Sequence, residues 1–483
     1  MPRYQYERLS AADNVFLLWE TPTLHMHVSS VAVLERGPLA SASGGIDIRR
    51  IRDAIEAALP RIPRYRQRLE WIPGFRHAVW VDDAHFDLGY HVRHTALPRP
   101  GSDAQLKKLA SRVMAQQLDR SRPLWEIWVV EGLAGDRFAI VSKLHHCMVD
   151  GISGVDLTTA LFSKQRETPR ETPQPHLPRS LPSRRELWRD EMSRLLGAPL
   201  RAARSLRARD DLRDELRLRL RALRNLAAIR FASATPINGT LGPHRSFDWY
   251  ALPLARAKQL KTALGCSVND VVLAICTGAF REYLRARGVN PGSLVFQVQA
   301  PVSVRAEGDT RLGNQVSNWT LQLPVGEPDP LRQLEAIYET TRHLKETRQA
   351  LGIATISEIA EWTTGSLLSL GARAATNITN SLITNVPGPQ YPLFLVGAQV
   401  QALYPQPPLL PNVGLSIGLV SYDGTLFWGL CADPERVPDL DAFVEKLERA
   451  YQELERAAAH EPPLRAPARA AGARRPRGRR ASA

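Results

Sequence analysis

Apolar and polar residues alternate along this chain in two rhythms, and each rhythm names an element. Ile48, Ile51, Ile55 and Leu59 recur at helical spacing behind Asp47, whose carboxylate suits an N-cap. Ser102 and Gln105 read as a capping box. The helix behind them carries Leu106, Leu109, Val113 and Met114 on one face, and Leu118 extends that stripe. Two strand-like runs follow, Glu126–Glu131 and Arg137–Leu144, joined through Gly135-Asp136 as a hairpin. Ile152–Lys164 reads as a helix. Residues 1–164 therefore form one α/β unit.

The stretch 165–183 is rich in Pro, Arg, Thr and Ser and reads as a linker. Residues 184–230 are rich in Arg and Leu, with Leu212, Leu216, Leu220, Leu223 and Leu226 at helical spacing. This is either an amphipathic helix packed on the protein with a solvated basic face or a helix lying in a lipid interface. A second α/β unit spans 244–460. Ser267 caps a long helix, Val268–Arg287. Strands are expected at Ser293–Ala300 and Ser317–Leu323, and Asp329-Pro330 starts a helix. Further strands are expected at Ser381–Asn385 and Gly414–Tyr422, where Asp423-Gly424 turns the chain into Thr425–Cys431. A final amphipathic helix covers about 440–458, and 461–483 is a Pro/Ala/Arg-rich tail expected to be disordered.

Composition narrows the class. At 483 residues, with 44% apolar and 23% charged side chains, the chain is an ordinary globular one, not a disordered chain or a rod. Four scattered cysteines make no disulfide framework, which suggests a reduced, intracellular setting. No apolar run approaches the ~18 residues that span a bilayer, and the N-terminus lacks a signal pattern. The expectation is a protein in solution or lying on a surface. The net charge of +14 is local: seven Arg and no acid in 464–483, fourteen Arg against seven acids in 184–230. The remainder is balanced, which argues against a nucleic-acid enzyme and allows two anchors for an anionic membrane surface.

The string His145-His146-Cys147-Met148-Val149-Asp150-Gly151 carries the chemistry. It follows an apolar strand, so the two adjacent rings point to opposite faces and one at most enters a given cleft. Asp150 follows after a turn that Gly151 eases. A metal site is one reading, but adjacent histidines on a strand diverge and no ligand cluster accompanies them. A Cys147 nucleophile is another, with poor geometry for its base. The favoured reading is a general base acting on a substrate hydroxyl, because imidazole is largely neutral at pH 7. A second candidate, Gly414-Leu415-Ser416-Ile417-Gly418, matches a nucleophile elbow in letters. That motif needs a turn into a helix, whereas here the run continues as a strand.

Ordered blocks along the chain resemble the bacterial wax ester synthase/acyl-CoA:diacylglycerol acyltransferase family. Leu9-Ser10, Asp13, Phe16-Leu17, Glu20 and Met26-His27-Val28 resemble its opening. Pro123-Leu124-Trp125 resembles its PLW block and 145–151 its HHxxxDG block. Asn269-Asp270-Val271-Val272-Leu273-Ala274 resembles its ND block. Pro301-Val302-Ser303-Val304-Arg305 with Gly313-Asn314, and Asn385-Val386-Pro387-Gly388-Pro389, complete the set. HHxxxDG alone indicates only the wider superfamily of chloramphenicol acetyltransferase and peptide-synthetase condensation domains.

The resemblance implies two chloramphenicol-acetyltransferase-like α/β (α+β) lobes with a tunnel between them. It implies transfer of a long acyl chain from acyl-CoA to diacylglycerol or a long-chain alcohol, without an acyl-enzyme, a metal or a bound cofactor. His146 is then the base, His145 and Asp150 assist it, and Gly151, Arg305, Asn269, Asp270 and Asn385 support the site. Asp150 and Arg305 are expected to pair across the lobes. Pro123, Leu124, Trp125, Pro387 and Gly388 are tunnel candidates, with a packing role for Trp125 as the plainer reading. The expected partners are acyl-CoA, the acceptor and an anionic membrane or lipid-droplet surface, but no nucleic acid. The expected place is the cytoplasm, on the inner face of the membrane or on lipid inclusions. A related acyltransferase for cell-wall or secondary-metabolite lipids would use the same motif and is separated only by the ordered blocks, and the intact His146 and Asp150 disfavour a non-catalytic lipid-surface binder.

Overall fold

The structure, a computed structural model, describes residues 6–42, 44–148, 160–167, 176–197, 231–303, 316–346 and 378–459. The first half contains β1 (Glu7–Arg8), α1 (Ala11–Trp19), β2 (His27–Glu35), α2 (Ile48–Ala58), β3 (Gln67–Trp71), β4 (Ala78–Asp82) and the short α3 (Leu88–His91). It continues with β5 (Val92–Ala96), α4 (Asp103–Ala115), β6 (Trp125–Leu133), β7 (Arg137–His145) and α5 (Arg184–Leu196). The second half contains β8 (Ser246–Pro253), α6 (Leu254–Leu264), α7 (Val268–Ala286), β9 (Phe296–Ser303), β10 (Val316–Leu323) and α8 (Pro330–Glu346). It ends with β11 (Ser381–Pro387), β12 (Phe394–Leu395), β13 (Ala398–Gln406), β14 (Leu415–Tyr422), β15 (Thr425–Ala432) and α9 (Leu440–Ala458).

The helix starts follow from local chemistry. Asp47 accepts from the Arg50 N–H, and Ser102 with Gln105 and Ser267 with Asp270 each close a complete capping box. Asp329 accepts from the Leu331 N–H at 2.8 Å ahead of Pro330. The β14–β15 hairpin turns at Asp423 and Gly424, both at positive φ (42° and 77°), as a tight hairpin turn requires.

Two six-stranded sheets result. The first has the order β12-β13-β2-β7-β6-β5, and the second β10-β9-β11-β14-β15-β8. A three-stranded sheet, β1-β4-β3, flanks the first. α7 lies against the second sheet in one apolar cluster with α8, α9 and β14, in which Phe280, Phe296 and Phe443 meet.

Two expectations change. The helix expected over Ile152–Lys164 is described only from residue 160 and stops at Leu161, because Ser163 exchanges two 2.8 Å backbone hydrogen bonds with Phe394. The second half also does not keep to itself. β13 pairs antiparallel with β2, so a strand from beyond residue 390 completes the first sheet. That strand crosses the face of the second sheet at Gly429, where a Cβ would sit 1.6 Å from the Pro405 carbonyl oxygen, and at its cross-strand partner Gly418. Only glycine admits this approach. Tyr404 of β13 then stacks on Trp249 of β8 at 4.5 Å between ring centroids. The Leu-rich part of 198–230 and the tail lie outside the described residues.

Candidate active site

β7 delivers the histidine pair. Its apolar residues Phe138, Ala139, Ile140 and Val141 are buried, which fixes its register against β2 and sets His145 opposite His27. The strand ends at His145, and His146–Met148 make a single 3-10 turn. The block before β6 supports this end through its backbone: the Leu124 carbonyl accepts from the His145 N–H at 2.9 Å. Leu124 and Trp125 are fully buried. Trp125 stacks on His91 at 4.5 Å and donates its indole N–H to the Tyr65 carbonyl, so it sits in the core as its plainer reading had it. Pro123 is buried beside them.

The two rings do different work. His145 is buried, and its Nδ1 accepts from the Cys147 N–H at 3.1 Å. That bond leaves the ring proton on Nε2, which lies 3.1 Å from Glu20 Oε1 in a bent contact. The same Oε1 accepts from the Met26 N–H at 3.0 Å, and the His27 Nε2 lies 3.7 Å away. Arg120 holds the other carboxylate oxygen through Nη2 at 2.5 Å. Burial pushes the Glu20 carboxyl up, but His145, His27 and Arg120 outweigh it and hold the group well below the usual carboxylate range.

His146 turns away from this cluster. Its ring lies against Phe16 of α1 at 4.0 Å between centroids and is partly exposed, while its Nδ1 is buried and unpartnered. Its backbone N–H donates to the Met26 carbonyl at 2.7 Å. Burial, aided by the neighbouring His145, lowers its pKa to about 4. The ring is therefore neutral at pH 7, with a lone pair available for a proton.

The competing readings lose their footing. Cys147 is 1% exposed, and burial pushes its thiol well above the usual range, so no thiolate is at hand. Ser416 lies inside β14, fully buried and opposite Cys431, without a turn or helix after it. Gly414 serves a close approach, since a Cβ there would come within 2.5 Å of the Ile237 carbonyl oxygen.

The remaining predicted residues divide. Asp270 accepts from the Ser267 N–H and hydroxyl at 2.9 and 2.7 Å and from the Thr341 hydroxyl at 2.8 Å. Its work is to cap α7 and tie it to α8. Asn269 is half-buried in the same first turn. Asn385 sits in β11 beside Leu419 of β14, and Pro387 at the strand's end is exposed. Gly388 is pressed on the hairpin, where a Cβ would stand 2.4 Å from the Ser421 carbonyl oxygen. Asp150, Gly151 and Arg305, and with them the expected cross-lobe pair, lie outside the described residues. Glu20 and His27 lie in the opening block and Arg120 lies outside every block, so the sequence gives none of them a role. The signal for them was faint: a carboxylate at the end of α1 and a histidine at the start of a strand acquire meaning only when β2 meets β7.

Two sheet-containing α/β lobes of this topology, with the histidine pair at the end of the central strand β7, have a chloramphenicol-acetyltransferase-like fold. Comparison with known proteins makes the assignment specific. Residues 9–272 match the wax ester synthase/diacylglycerol acyltransferase catalytic domain, and 312–455 match the family's C-terminal domain. A putative diacylglycerol O-acyltransferase of Mycobacterium tuberculosis is 32% identical over 458 residues, covering 93% of this chain and 90% of that one. The wax ester synthase/diacylglycerol acyltransferase of Marinobacter aquaeolei superposes with a TM-score of 0.67 at 25% identity, covering 94% and 100% of the two chains. The first condensation domain of the calcium-dependent antibiotic synthetase shares the fold, with a TM-score of 0.58 at 17% identity over 95% and 97%. The chain belongs to the wax ester synthase/diacylglycerol acyltransferase family, and it is an O-acyltransferase.

Proposed function

We propose that this enzyme moves a long-chain acyl group from acyl-CoA to the hydroxyl of diacylglycerol or of a long-chain alcohol, with His146 as the general base. The observation that carries the assignment of the base is the ring itself: neutral, partly exposed, seated on Phe16, and set on a turn whose backbone is held from two sides. In the reaction, Nε2 of His146 takes the acceptor's hydroxyl proton as that oxygen attacks the thioester carbonyl. The C–S bond breaks, and the imidazolium returns the proton to the departing thiolate. Coenzyme A and the ester leave. Such a base contributes about 10²–10⁴-fold, the rest coming from orientation.

The acceptor and the acyl chain are lipids, so the enzyme works at a surface, which we place on the inner face of the membrane or on lipid inclusions in the cytoplasm. α5 supports this. Its inner side is pinned by Leu187 in a buried apolar cluster, by Tyr6 to Asp190 and by Arg8 to Glu191. Its outer side exposes Trp188 and Leu196 among Arg184, Arg185 and Arg189, a composition suited to an anionic interface.

The test gives the purified enzyme palmitoyl-CoA with either hexadecanol or diolein and follows ester formation and coenzyme A release, for wild type and His146→Ala. Ester with at least one acceptor, lost in the variant, is expected. No ester with either acceptor would overturn the substrate reading, and undiminished turnover in His146→Ala would overturn the base. Flotation with anionic vesicles at low and high salt tests the surface, and equal recovery with neutral vesicles would count against it.

A further inference from the structure

His146 acts only if its turn holds the ring in place, and two consecutive backbone N–H groups fix that turn. The His146 N–H ends on the Met26 carbonyl at 2.7 Å, and the Cys147 N–H ends on His145 Nδ1 at 3.1 Å. Both acceptors are carried by groups that face one atom. Oε1 of Glu20 accepts from the Met26 N–H at 3.0 Å and lies 3.1 Å from His145 Nε2. The carboxylate is itself locked. Arg120 reaches its second oxygen with Nε and Nη2, and also donates to the Leu17 carbonyl at the end of α1. Glu20, His145 and Met26 are all buried, so the contacts act in a low-dielectric setting.

We infer that Glu20 is a positioning residue for the transfer reaction: it holds His145 and Met26 so that the turn presents His146 to the acceptor hydroxyl. The two histidines are then a pair with divided labour. The ring of His146 meets substrate, and the ring of His145 transmits the carboxylate's grip to the Cys147 N–H. A proton on Nε2 is what lets both ends of the His145 ring be used at once: Nδ1 as acceptor, Nε2–H toward the carboxylate. The inference rests on the reading of His146 as the base.

Two variants and their combination test it. Glu20→Gln keeps the shape and loses the charge. In His145→Asn, Oδ1 can stand in for Nδ1 and accept the Cys147 N–H, but the shorter side chain cannot reach Glu20. With palmitoyl-CoA and diolein, His145→Asn is expected to lower kcat about 10²-fold, as a misplaced reacting group does, with KM for either substrate little changed. Glu20→Gln is expected to move kcat in the same direction by less. The double variant should be no worse than the poorer single one, because both break a single chain of contacts. Rates are taken per folded molecule, by circular dichroism and melting temperature. Losses that multiply, a change confined to KM, or a kcat within about twofold of wild type in His145→Asn would overturn the inference. Measuring His146→Ala alongside separates the two readings. If that variant turns over normally, the assignment of the base falls. If it is inactive while His145→Asn is normal, only the positioning role falls.

Discussion

α7 in the second lobe buries twelve residues, and apart from Asp270, Thr277 and the Tyr283 hydroxyl they are apolar. The paired ends of β2 and β7 in the first lobe bury His27, Ser29, Lys143 and His145, with His27 and His145 facing Glu20. Both regions are equally dry, and their chemistry is opposite. A helix such as α7 gains stability from every side chain it hides. The strand ends gain little, because each buried ionisable group forfeits solvation that its partners only partly return. Lys143 shows the cost. Its ammonium is fully buried, donating to the Val113 and Gln116 carbonyls at 2.9 Å, and burial lowers its pKa to about 8. The second lobe's helix is a packing element, whereas this end of the first lobe gathers buried ionisable groups into contacts with one another.

The comparison can be broken by exchanging the two kinds of effect. The largest change is expected from His146→Ala, a fall in turnover of about 10²–10⁴-fold by coenzyme A release, with the urea midpoint nearly unmoved. Phe280→Ala should do the reverse, costing about 3–5 kcal/mol of stability in urea titrations while turnover per folded molecule is kept. Asp270→Ala sharpens the contrast, because Asp270 stands in a motif that invites a catalytic reading. It should behave like Phe280, losing about 1–2 kcal/mol for a lost cap and leaving kcat alone. A large loss of kcat with unchanged melting would return Asp270 to the site.

A smaller effect separates the lobes by pH. His77 and His146 both belong to the first lobe, and burial first of all lowers each to about 4. In the unfolded chain these rings titrate near pH 6.5. Between those values the unfolded state binds more protons, so their stabilising contribution is complete above pH 6.5 and declines toward pH 4, by about 1 kcal/mol per buried ring within the first pH unit. Melting temperature followed from pH 7 to 5 should fall, and His77→Gln should flatten part of the slope. The same depressed value predicts that the acid limb of kcat/KM lies well below 6.5. A limb at or above 6.5 would mean that His146 is more solvated than its packing on Phe16 implies.

Much of this was legible from residues close together in the chain. Capping boxes at Ser102 and Ser267, the Asp329-Pro330 helix start, the Asp423-Gly424 turn and the 440–458 helix are settled within a few residues, by hydrogen bonds and φ preferences that need no distant partner. The histidine pair was visible as a string of residue types, but the strand ends at His145 and His146 lies on a 3-10 turn, so the turn and not strand alternation sets the two rings apart. β13 was not visible, since Pro405 and its neighbour Pro407 break the alternation that marks a strand, and its partner β2 lies more than 360 residues away in the chain.

The amino-acid sequence alone determined many of the helices and hairpins, which family the chain resembles and which string is the candidate for the chemistry, because those depend on short-range periodicity and on ordered blocks of residue types. Only the tertiary structure decided where the two histidine rings lie. His145 turns to Glu20 and His146 to Phe16 because β2, β7 and α1 converge there, and a carboxylate becomes the partner of a ring 125 residues away only when the chain between them has folded.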